Sequence, residues 1–123
     1  MAREFVNELP ENLSYGVTTR GTNISGGQKQ RLLIARAVAA DPEILVLDDS
    51  SSALDYKTDA ELRRHIAERV GKTTVIVSQR IASVMHADKI AVMDGGRLIG
   101  FGTHTELMRD LAEYRDIAEV QLG

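Results

Sequence analysis

The 123-residue sequence contains no cysteine, which excludes disulfide bonds and thiolate metal sites. It has no large excess of either charge, because 15 basic and 18 acidic side chains give a net charge of −3 and the two signs are interleaved. A nucleic-acid partner would favour a basic surface, so this balance argues against one. The three histidines lie far apart without metal-ligand spacing, and we interpret His65, His86 and His104 as surface or packing residues.

Long apolar runs are also missing. The longest are short, as at residues 44–47, whereas a membrane-spanning helix needs about 20 predominantly apolar residues. Residues 1–5 contain no apolar signal core. Apolar residues still make up 43% of the chain, which is typical of a folded domain. We therefore expect any link to a membrane to come through a partner or another part of the same polypeptide.

Hydrophobic patterning predicts helices that alternate with strands, and hence an α/β fold with a partly parallel sheet. The apolar run at residues 44–47 is typical of a strand buried on both faces. A helix should begin near Gly27 with Ser25 as its N-cap. The other predicted elements are helices at 4–9, 58–70 and 81–86 and a strand at 74–77. In the 58–70 helix, Leu62, Ile66 and Val70 should share one apolar stripe.

The C-terminal third has two further signals. Two apolar runs flank the pair Gly95-Gly96 and predict a tight β-hairpin. Residues 103–106 have the Thr-x-x-Glu form of a capping box, which should open a final helix. That helix carries Leu107, Leu111 and Tyr114 on one face. A small hairpin and a helix are therefore expected to end the chain.

The first pattern with chemical meaning is Ser-Gly-Gly-Gln at residues 25–28, where a helix begins. Glycines let main-chain amides approach an anion without a β-carbon in the way. A helix N-terminus adds unpaired N–H groups and a favourable dipole for phosphate. By itself the motif fits a serine-capped helix after a glycine turn equally well.

The second pattern is the acidic pair Asp48-Asp49 at the end of an apolar strand. In α/β sheets the carboxyl ends of parallel strands face the ligand crevice, and carboxylates there suit Mg²⁺. The alternative is a solvated pair of acids. The third pattern is Ser-Ala-Leu-Asp at residues 52–55, which taken alone favours a plain helix cap at Asp55.

The order and spacing of these patterns resemble the C-terminal part of the nucleotide-binding domain of ATP-binding cassette (ABC) transporters, exporter type. Residues 24–28 resemble the signature motif, with Ile24 where leucine is usual. Residues 44–48 resemble the Walker B strand and residues 52–55 the D-loop. Residues 100–104 are similar to the tail of exporter-type members. The resemblance covers nearly the whole chain.

The resemblance implies a P-loop NTPase-like ABC ATPase fold. Residues 1–41 would be part of the helical subdomain that carries the signature motif. Residues 42–123 would be part of the catalytic core with Walker B, D-loop and switch. The cofactors would be ATP and Mg²⁺.

In this family two nucleotide-binding domains close head to tail over two ATP molecules. By analogy the signature would contact the γ-phosphate of ATP held by a partner domain, through Ser25, Gly26, Gly27 and Gln28. Asp48 would hold Mg²⁺ and Asp55 would lie at the dimer seam. The implied partners are a second, non-identical nucleotide-binding domain and a transmembrane domain, with no nucleic acid. The location would be the cytoplasmic face of the cell membrane.

Two residues depart from the family pattern. The catalytic position after Asp48 is normally glutamate and here is Asp49, and the switch position is normally histidine and here is Gln79. Both changes weaken the same site. We therefore expect an asymmetric exporter of multidrug or lipid type, in which this subunit has a degenerate site of its own but lends an intact signature to its partner.

The Gly-x-x-x-x-Gly-Lys-Ser/Thr loop that cradles ATP phosphates does not occur in the sequence. We therefore expect a truncated reading frame or fragment without ATPase activity of its own. One alternative is a non-catalytic nucleotide-sensing or scaffold subunit, which Asp49 and Gln79 favour. Another is a family member acting in DNA repair or translation. The short gap from Gln28 to Asp48 and the exporter-like tail weigh against that reading.

Overall fold

A computed structural model describes residues 2–50 and 53–123 of the chain. The chain divides into two compact units, Met1–Val77 and Ser78–Gly123. The α-helices and strands of the first unit are α1 (Arg3–Glu8), α2 (Gly26–Ala39), β1 (Ile44–Asp48), α3 (Tyr56–Ala67) and β2 (Thr73–Val77), with short 3-10 helices at Asn12–Ser14 and Thr19–Gly21. Those of the second are α4 (Ile81–Val84), β3 (Ile90–Asp94), β4 (Arg97–Gly102), α5 (His104–Asp110) and α6 (Ala112–Leu122). No helix among the described residues is long and apolar enough to cross a membrane.

The sheet of the first unit pairs β1 with β2 in parallel, so the predicted α/β fold with a parallel sheet is confirmed. Leu45 and Leu47 are buried on one face. On the other face Ile44 is 64% exposed and Val46 is 61% exposed. The prediction of burial on both faces is therefore wrong within the described residues. An unbroken apolar run shows that both faces of a strand can be buried. Whether they are buried depends on the other elements that pack against each face.

The core of the first unit lies between α2 and α3. It joins Ile34, Leu54 and Leu62, with Val38 and Ile66 packed against them. Because residues four apart lie on one helix face, Ile34 and Val38 meet this core together. The core thus packs α3, and the residue Leu54 just before it, against α2.

The predicted helix at 58–70 differs at both ends from α3. It begins at Tyr56 and ends at Ala67, and Val70 is 92% exposed beyond it. The chain leaves the helix because its next residues are bound elsewhere. Arg69 donates from Nη2 to the Pro42 carbonyl at 2.6 Å, and the Thr73 amide donates to the Glu43 carbonyl at 2.9 Å. These bonds bring the chain alongside β1.

The second unit contains the predicted hairpin, with β3 antiparallel to β4 and a bulge between Val92 and Met93. Gly95 and Gly96 have φ of +51° and +76°. Two consecutive left-handed residues match the two-residue turn that follows the twist of a hairpin, which explains the glycine pair. The core of this unit draws on all its helices and on β3, through Ile81, Ile90, Leu107, Tyr114 and Ala118.

The final helix was predicted as one element but forms two. Leu111 separates α5 from α6 with φ −125° and ψ 107°, an extended conformation. Leu107 and Tyr114 are buried, and Leu111 packs against the same core. Gly100 makes room for it, because a β-carbon there would lie 2.6 Å from Leu111 Cδ2. The predicted capping box at Thr103 and Glu106 is confirmed.

His104 and Tyr114 tie the two helices together. His104 Nδ1 lies 2.8 Å from the Tyr114 hydroxyl, and the rings meet edge to face with centroids 5.7 Å apart. Burial raises the pKa of Tyr114 above its ordinary value of 10.0. His104 is therefore a packing residue, one of the two roles that the sequence indicated for it.

Candidate functional site

The Ser-Gly-Gly-Gln motif opens α2 with a complete capping box. Ser25 Oγ accepts from the Gln28 amide at 3.2 Å, and Gln28 Oε1 accepts from the Ser25 amide at 2.9 Å. Ser25 was predicted as the N-cap and is confirmed. The sequence analysis did not predict that the Gln28 side chain takes part in the cap, although Ser-x-x-Gln is itself the sequence pattern of a capping box. The side chain of Gln28 is therefore engaged in the turn that forms the motif.

The two glycines of the motif have different surroundings. A β-carbon on Gly27 would lie 3.2 Å from the Ala53 carbonyl oxygen, so Gly27 lets α2 approach the segment before α3. A β-carbon on Gly26 would meet nothing within 4 Å. Neither glycine has a left-handed φ. Packing thus explains Gly27, whereas no contact within the described residues requires a glycine at position 26.

Asn23 organises the loop that leads into the motif, and sequence reasoning missed it. Its Oδ1 accepts from the amide and the hydroxyl of Thr18, both at 3.0 Å. Its Nδ2 donates to the Tyr15 hydroxyl at 3.1 Å and to the Gly16 carbonyl at 2.9 Å. The Asn23 side chain thus makes four hydrogen bonds across this loop. They fix the position of the main chain two residues before Ser25. An asparagine beside a glycine-containing loop is the only sequence signal for it.

Asp48 is the last residue of β1, and both Asp48 and Asp49 are exposed. The Asp49 amide donates to the Val77 carbonyl at 2.9 Å, which continues the pairing of the two strands. Asp49 then turns with φ +45°, a conformation that aspartate adopts more readily than most residues. The pair therefore stands at the carboxyl end of the parallel sheet, as predicted from the strand.

The described residues contain no group of three or more side chains that could hold a metal ion. Mg²⁺ keeps several waters and is commonly bound through one or two carboxylates together with substrate phosphates. An exposed carboxylate at a strand end, as at Asp48, fits that kind of partial site.

Asp55 caps α3. Its carboxylate accepts from the Thr58 amide at 2.9 Å and from the Thr58 hydroxyl at 2.8 Å. These two hydrogen bonds lower the pKa of Asp55 below its ordinary value of 3.8. Helix capping, which the sequence by itself favoured at this position, is therefore what Asp55 does within the chain. Ser52, the first residue of the same motif, lies outside the described residues.

Gln79 lies in the second unit and is exposed. Its carbonyl accepts from Gln121 Nε2 at 2.9 Å, and the next amide along the chain, that of Arg80, donates to Ser78 Oγ at 3.1 Å. The structure therefore groups most of the predicted site residues in the first unit and places Gln79 in the other. Sequence reasoning missed Gln121, which is 42 residues from Gln79 and carries no local signal.

Chemically, the first unit presents two unlike surfaces. The N-terminus of α2 offers hydroxyl and amide donors, which suit an anion. The carboxyl end of the sheet offers carboxylates, which suit a hard cation. A nucleoside triphosphate with its metal ion needs hydrogen-bond donors for its phosphates and carboxylates for the cation. Each surface therefore suits a different part of such a ligand.

Comparisons with known proteins agree with this chemistry. The family model described as ABC transporter matches residues 2–52. The chain is 52% identical over 114 residues to the probable multidrug resistance ABC transporter ATP-binding/permease protein YheI of Bacillus subtilis, covering 92% of this chain and 20% of that protein. It is 44% identical over 111 residues to the ATP-dependent lipid A-core flippase of Xylella fastidiosa, covering 87% of this chain and 18% of the flippase.

Among solved structures, a bacterial Atm1-family ABC exporter with ATP bound superposes with a TM-score of 0.91 at 34% identity, over 98% of this chain and 21% of that chain. The chain thus spans about a fifth of the length of these relatives. Similarity of this extent, in sequence and in fold, identifies the chain as a member of the ABC transporter family that matches part of an exporter's nucleotide-binding domain.

Proposed function

We propose that this chain lends its signature motif, residues 25–28, to an ATP site whose phosphate-cradling loop belongs to a second nucleotide-binding domain. The observation that carries the proposal is the open surface at Gly26, where a β-carbon would have no atom of the described residues within 4 Å. A glycine that neither φ nor packing requires is accounted for by a ligand that approaches the main chain from outside.

The donors at this surface support the same conclusion. No acceptor among the described residues takes the amide N–H of Gly26 or Gly27. Both amides lie in the first turn of the 14-residue helix α2, where the helix dipole favours negative charge. The Ser25 hydroxyl accepts from Gln28 and still has its own hydrogen to donate. These groups form a cradle for a terminal phosphate.

The remaining site roles follow from the same proposal. Asp48 would hold Mg²⁺, and the ion would neutralise phosphate charge when bound. Asp55 lies at the seam with the partner while it caps α3. Asp49 replaces a glutamate and is one methylene shorter, and a misplacement of about 1 Å can cost on the order of a hundredfold in rate. Gln79 is neutral at every pH and cannot shuttle a proton. We therefore propose that the chain's own site is degenerate.

We place the chain in an exporter whose partner domain is not identical to it. Closure on ATP and reopening after hydrolysis would move a transmembrane domain, so the chain would work at the cytoplasmic face of the membrane. The names of the relatives, a multidrug resistance protein and a lipid A-core flippase, support an exporter of multidrug or lipid type.

The test mixes the purified chain with the ATP-binding part of the YheI relative and measures labelled ATP retained by the complex. Gly26→Val should lower retention at least tenfold, because the new side chain occupies the open approach to the main chain. Gly16→Val is the matched control, since Gly16 also has open space around its β-position and no left-handed φ. Equal retention by the two variants would refute the proposal. The chain alone should show no ATP turnover.

A non-catalytic nucleotide-sensing subunit is the second candidate, and Asp49 with Gln79 favours it. The double variant Asp49→Glu with Gln79→His in the assembled transporter separates the two functions. A degenerate ATPase site should gain turnover from these residues. A sensing subunit should keep binding ATP without hydrolysing it in either form.

A further inference from the structure

We infer that Gln121 is a positioning residue that holds the main chain of the switch segment, residues 78–81, from the end of α6. The inference rests on the proposed function of Gln79 as the switch residue. It concerns contacts within the second unit alone.

The side chain of Gln121 forms a two-point clamp. Its Nε2 donates to the Gln79 carbonyl at 2.9 Å, and its Oε1 accepts from the Ile81 amide at 2.8 Å. One carboxamide thus binds the main chain on both sides of Arg80. Because a carboxamide is planar with donor and acceptor at a fixed separation, it sets the distance between these two main-chain groups.

The clamp provides a hydrogen-bond acceptor for the amide N–H of Ile81, which its neighbours in the sequence do not provide. Ile81 is the first residue of α4, and the first amides of a helix have no partner inside it. Arg80, at the N-cap position, makes no side-chain cap hydrogen bond within the described residues. Gln121 therefore acts as the missing cap of α4 from a residue 40 positions further along the chain.

Packing places Gln121 where it can do this. Tyr114, Ala118 and Gln121 follow one another at spacings of four and three, so they share one face of α6. Tyr114 and Ala118 are 3% and 1% exposed and belong to the same core as Ile81. A helix anchored by these two side chains has little freedom to slide, and its next side chain on that face meets the switch segment.

The consequence concerns Gln79. Its main chain is fixed at the carbonyl by Gln121, while its side chain stays exposed. A fixed main chain limits the positions that this side chain can reach before it meets a phosphate, and positioning of this kind contributes to rate. Gln121 thus acts through Gln79 and touches no reacting atom itself.

The first experiment uses nuclear magnetic resonance on the full chain. Gln121→Leu removes both bonds at similar size, and we expect the Ile81 amide to exchange about tenfold faster with solvent. Glu119→Leu is the control, because it makes the same residue on an exposed position of α6 and should leave Ile81 unchanged. An Ile81 exchange rate in Gln121→Leu equal to that of the wild type would overturn the inference.

A second variant keeps the test decisive if Gln121→Leu loosens the whole unit. Gln121→Glu retains an oxygen for the Ile81 amide but sets a second oxygen against the Gln79 carbonyl. The Ile81 amide should stay protected while the carbonyl carbon resonance of Gln79 moves. If Gln121 served only in packing, Gln121→Glu would change the Ile81 exchange rate and the Gln79 carbonyl resonance together, or change neither. Either result would count against the clamp.

The functional arm measures ATP turnover in the assembled transporter. In the transporter whose site is restored by Asp49→Glu and Gln79→His, Gln121→Leu should lower kcat severalfold with KM nearly unchanged, and it should add nothing when residue 79 is alanine instead. Additive losses would show that Gln121 acts elsewhere. An assembly that binds no ATP would refute the proposed function. The resonance measurements would still show whether Gln121 holds the main chain at Gln79 and Ile81.

Discussion

The two units of the chain differ in how they use their apolar residues. The second unit places side chains from all its helices and from β3 in one core. The first unit has a core of three buried residues between α2 and α3, and it leaves one face of its sheet open at Ile44 and Val46. Most candidate site residues belong to the first unit. The comparison teaches that the candidate site residues of the first unit lie mainly at the ends of helices and strands, while the second unit is organised around its core.

The same contrast appears in two helix starts. Both α2 and α5 begin with a capping box, through Ser25 and Gln28 in one unit and through Thr103 and Glu106 in the other. The first box uses an amide and has an open glycine beside it. The second uses a carboxylate and only starts a helix. The same type of cap therefore starts a helix in both units, and we propose a binding role only for the first.

The largest effect should come from the two cores. Leu62→Ala and Leu107→Ala each remove a side chain that is less than 5% exposed, and each should cost about 2–5 kcal/mol. Hydrogen exchange should speed up mainly within the unit that carries the substitution, because the cores share no residue. Leu13→Ala, at a position 92% exposed, is the control. Equal loosening of both units by either variant would contradict the division.

A smaller effect should distinguish the two capping boxes. Ser25→Ala and Thr103→Ala should each lower the free energy of unfolding by about 1 kcal/mol, the usual cost of losing a cap. Only Ser25→Ala should also weaken ATP retention with a partner domain. Chemical denaturation and the retention assay check the two expectations separately. Weaker retention in Thr103→Ala would mean that the assay reports on folding rather than on the signature.

Acid should loosen α5 and spare the start of α2. Hydrogen bonds from the Thr103 amide and hydroxyl, together with the charge of Lys89, lower the pKa of Glu106 from its ordinary value of 4.5. Because the folded-state pKa is lowered, the stabilisation is complete above 4.5 and is lost as pH falls through the folded-state pKa. Gln28 does not titrate.

The measurement for this prediction is amide exchange at Thr103 and Ser25, each normalised to a model peptide, between neutral and acid pH. Thr103 should lose protection in acid and Ser25 should not. Glu106→Gln should remove the pH dependence at Thr103. A flat profile at Thr103 in the wild type would show that the carboxylate contributes nothing to this helix start.

The smallest effect is expected at the open sheet face. Val46→Thr changes an exposed side chain, so stability should change by less than about 0.5 kcal/mol. Leu45→Ala, on the covered face of the same strand, should cost about 2–5 kcal/mol. Urea denaturation of the pair checks this. Comparable losses would mean that the outer face of β1 is covered in solution.

Local signals predicted much of the fold. The N-cap at Ser25, the hairpin at Gly95-Gly96 and the box at Thr103 each depend on residues within four positions, and each is present as predicted. The predicted helix end at Val70 was wrong because a contact with a residue distant in sequence decides where α3 ends. The helix ends early because Arg69 binds the Pro42 carbonyl, 27 residues away.

The candidate site divides in the same way. Residue type and order indicated Asp48 at a strand end and the Ser-Gly-Gly-Gln turn at a helix start, and the roles proposed for them remain predictions. The clamp at Gln121 and the close approach of Gly27 to Ala53 had no sign in the sequence. Both are contacts between segments distant along the chain.

The sequence by itself therefore determined the starts of α2 and α5, the turn and the strand with its acidic end, because caps, φ preferences and apolar runs act over a few neighbouring residues. Only the tertiary structure decided which face of β1 is covered, where α3 ends and which side chain binds the main chain at Gln79 and Ile81. The last two outcomes depend on pairing between residues 27 to 42 positions apart, which no local pattern encodes.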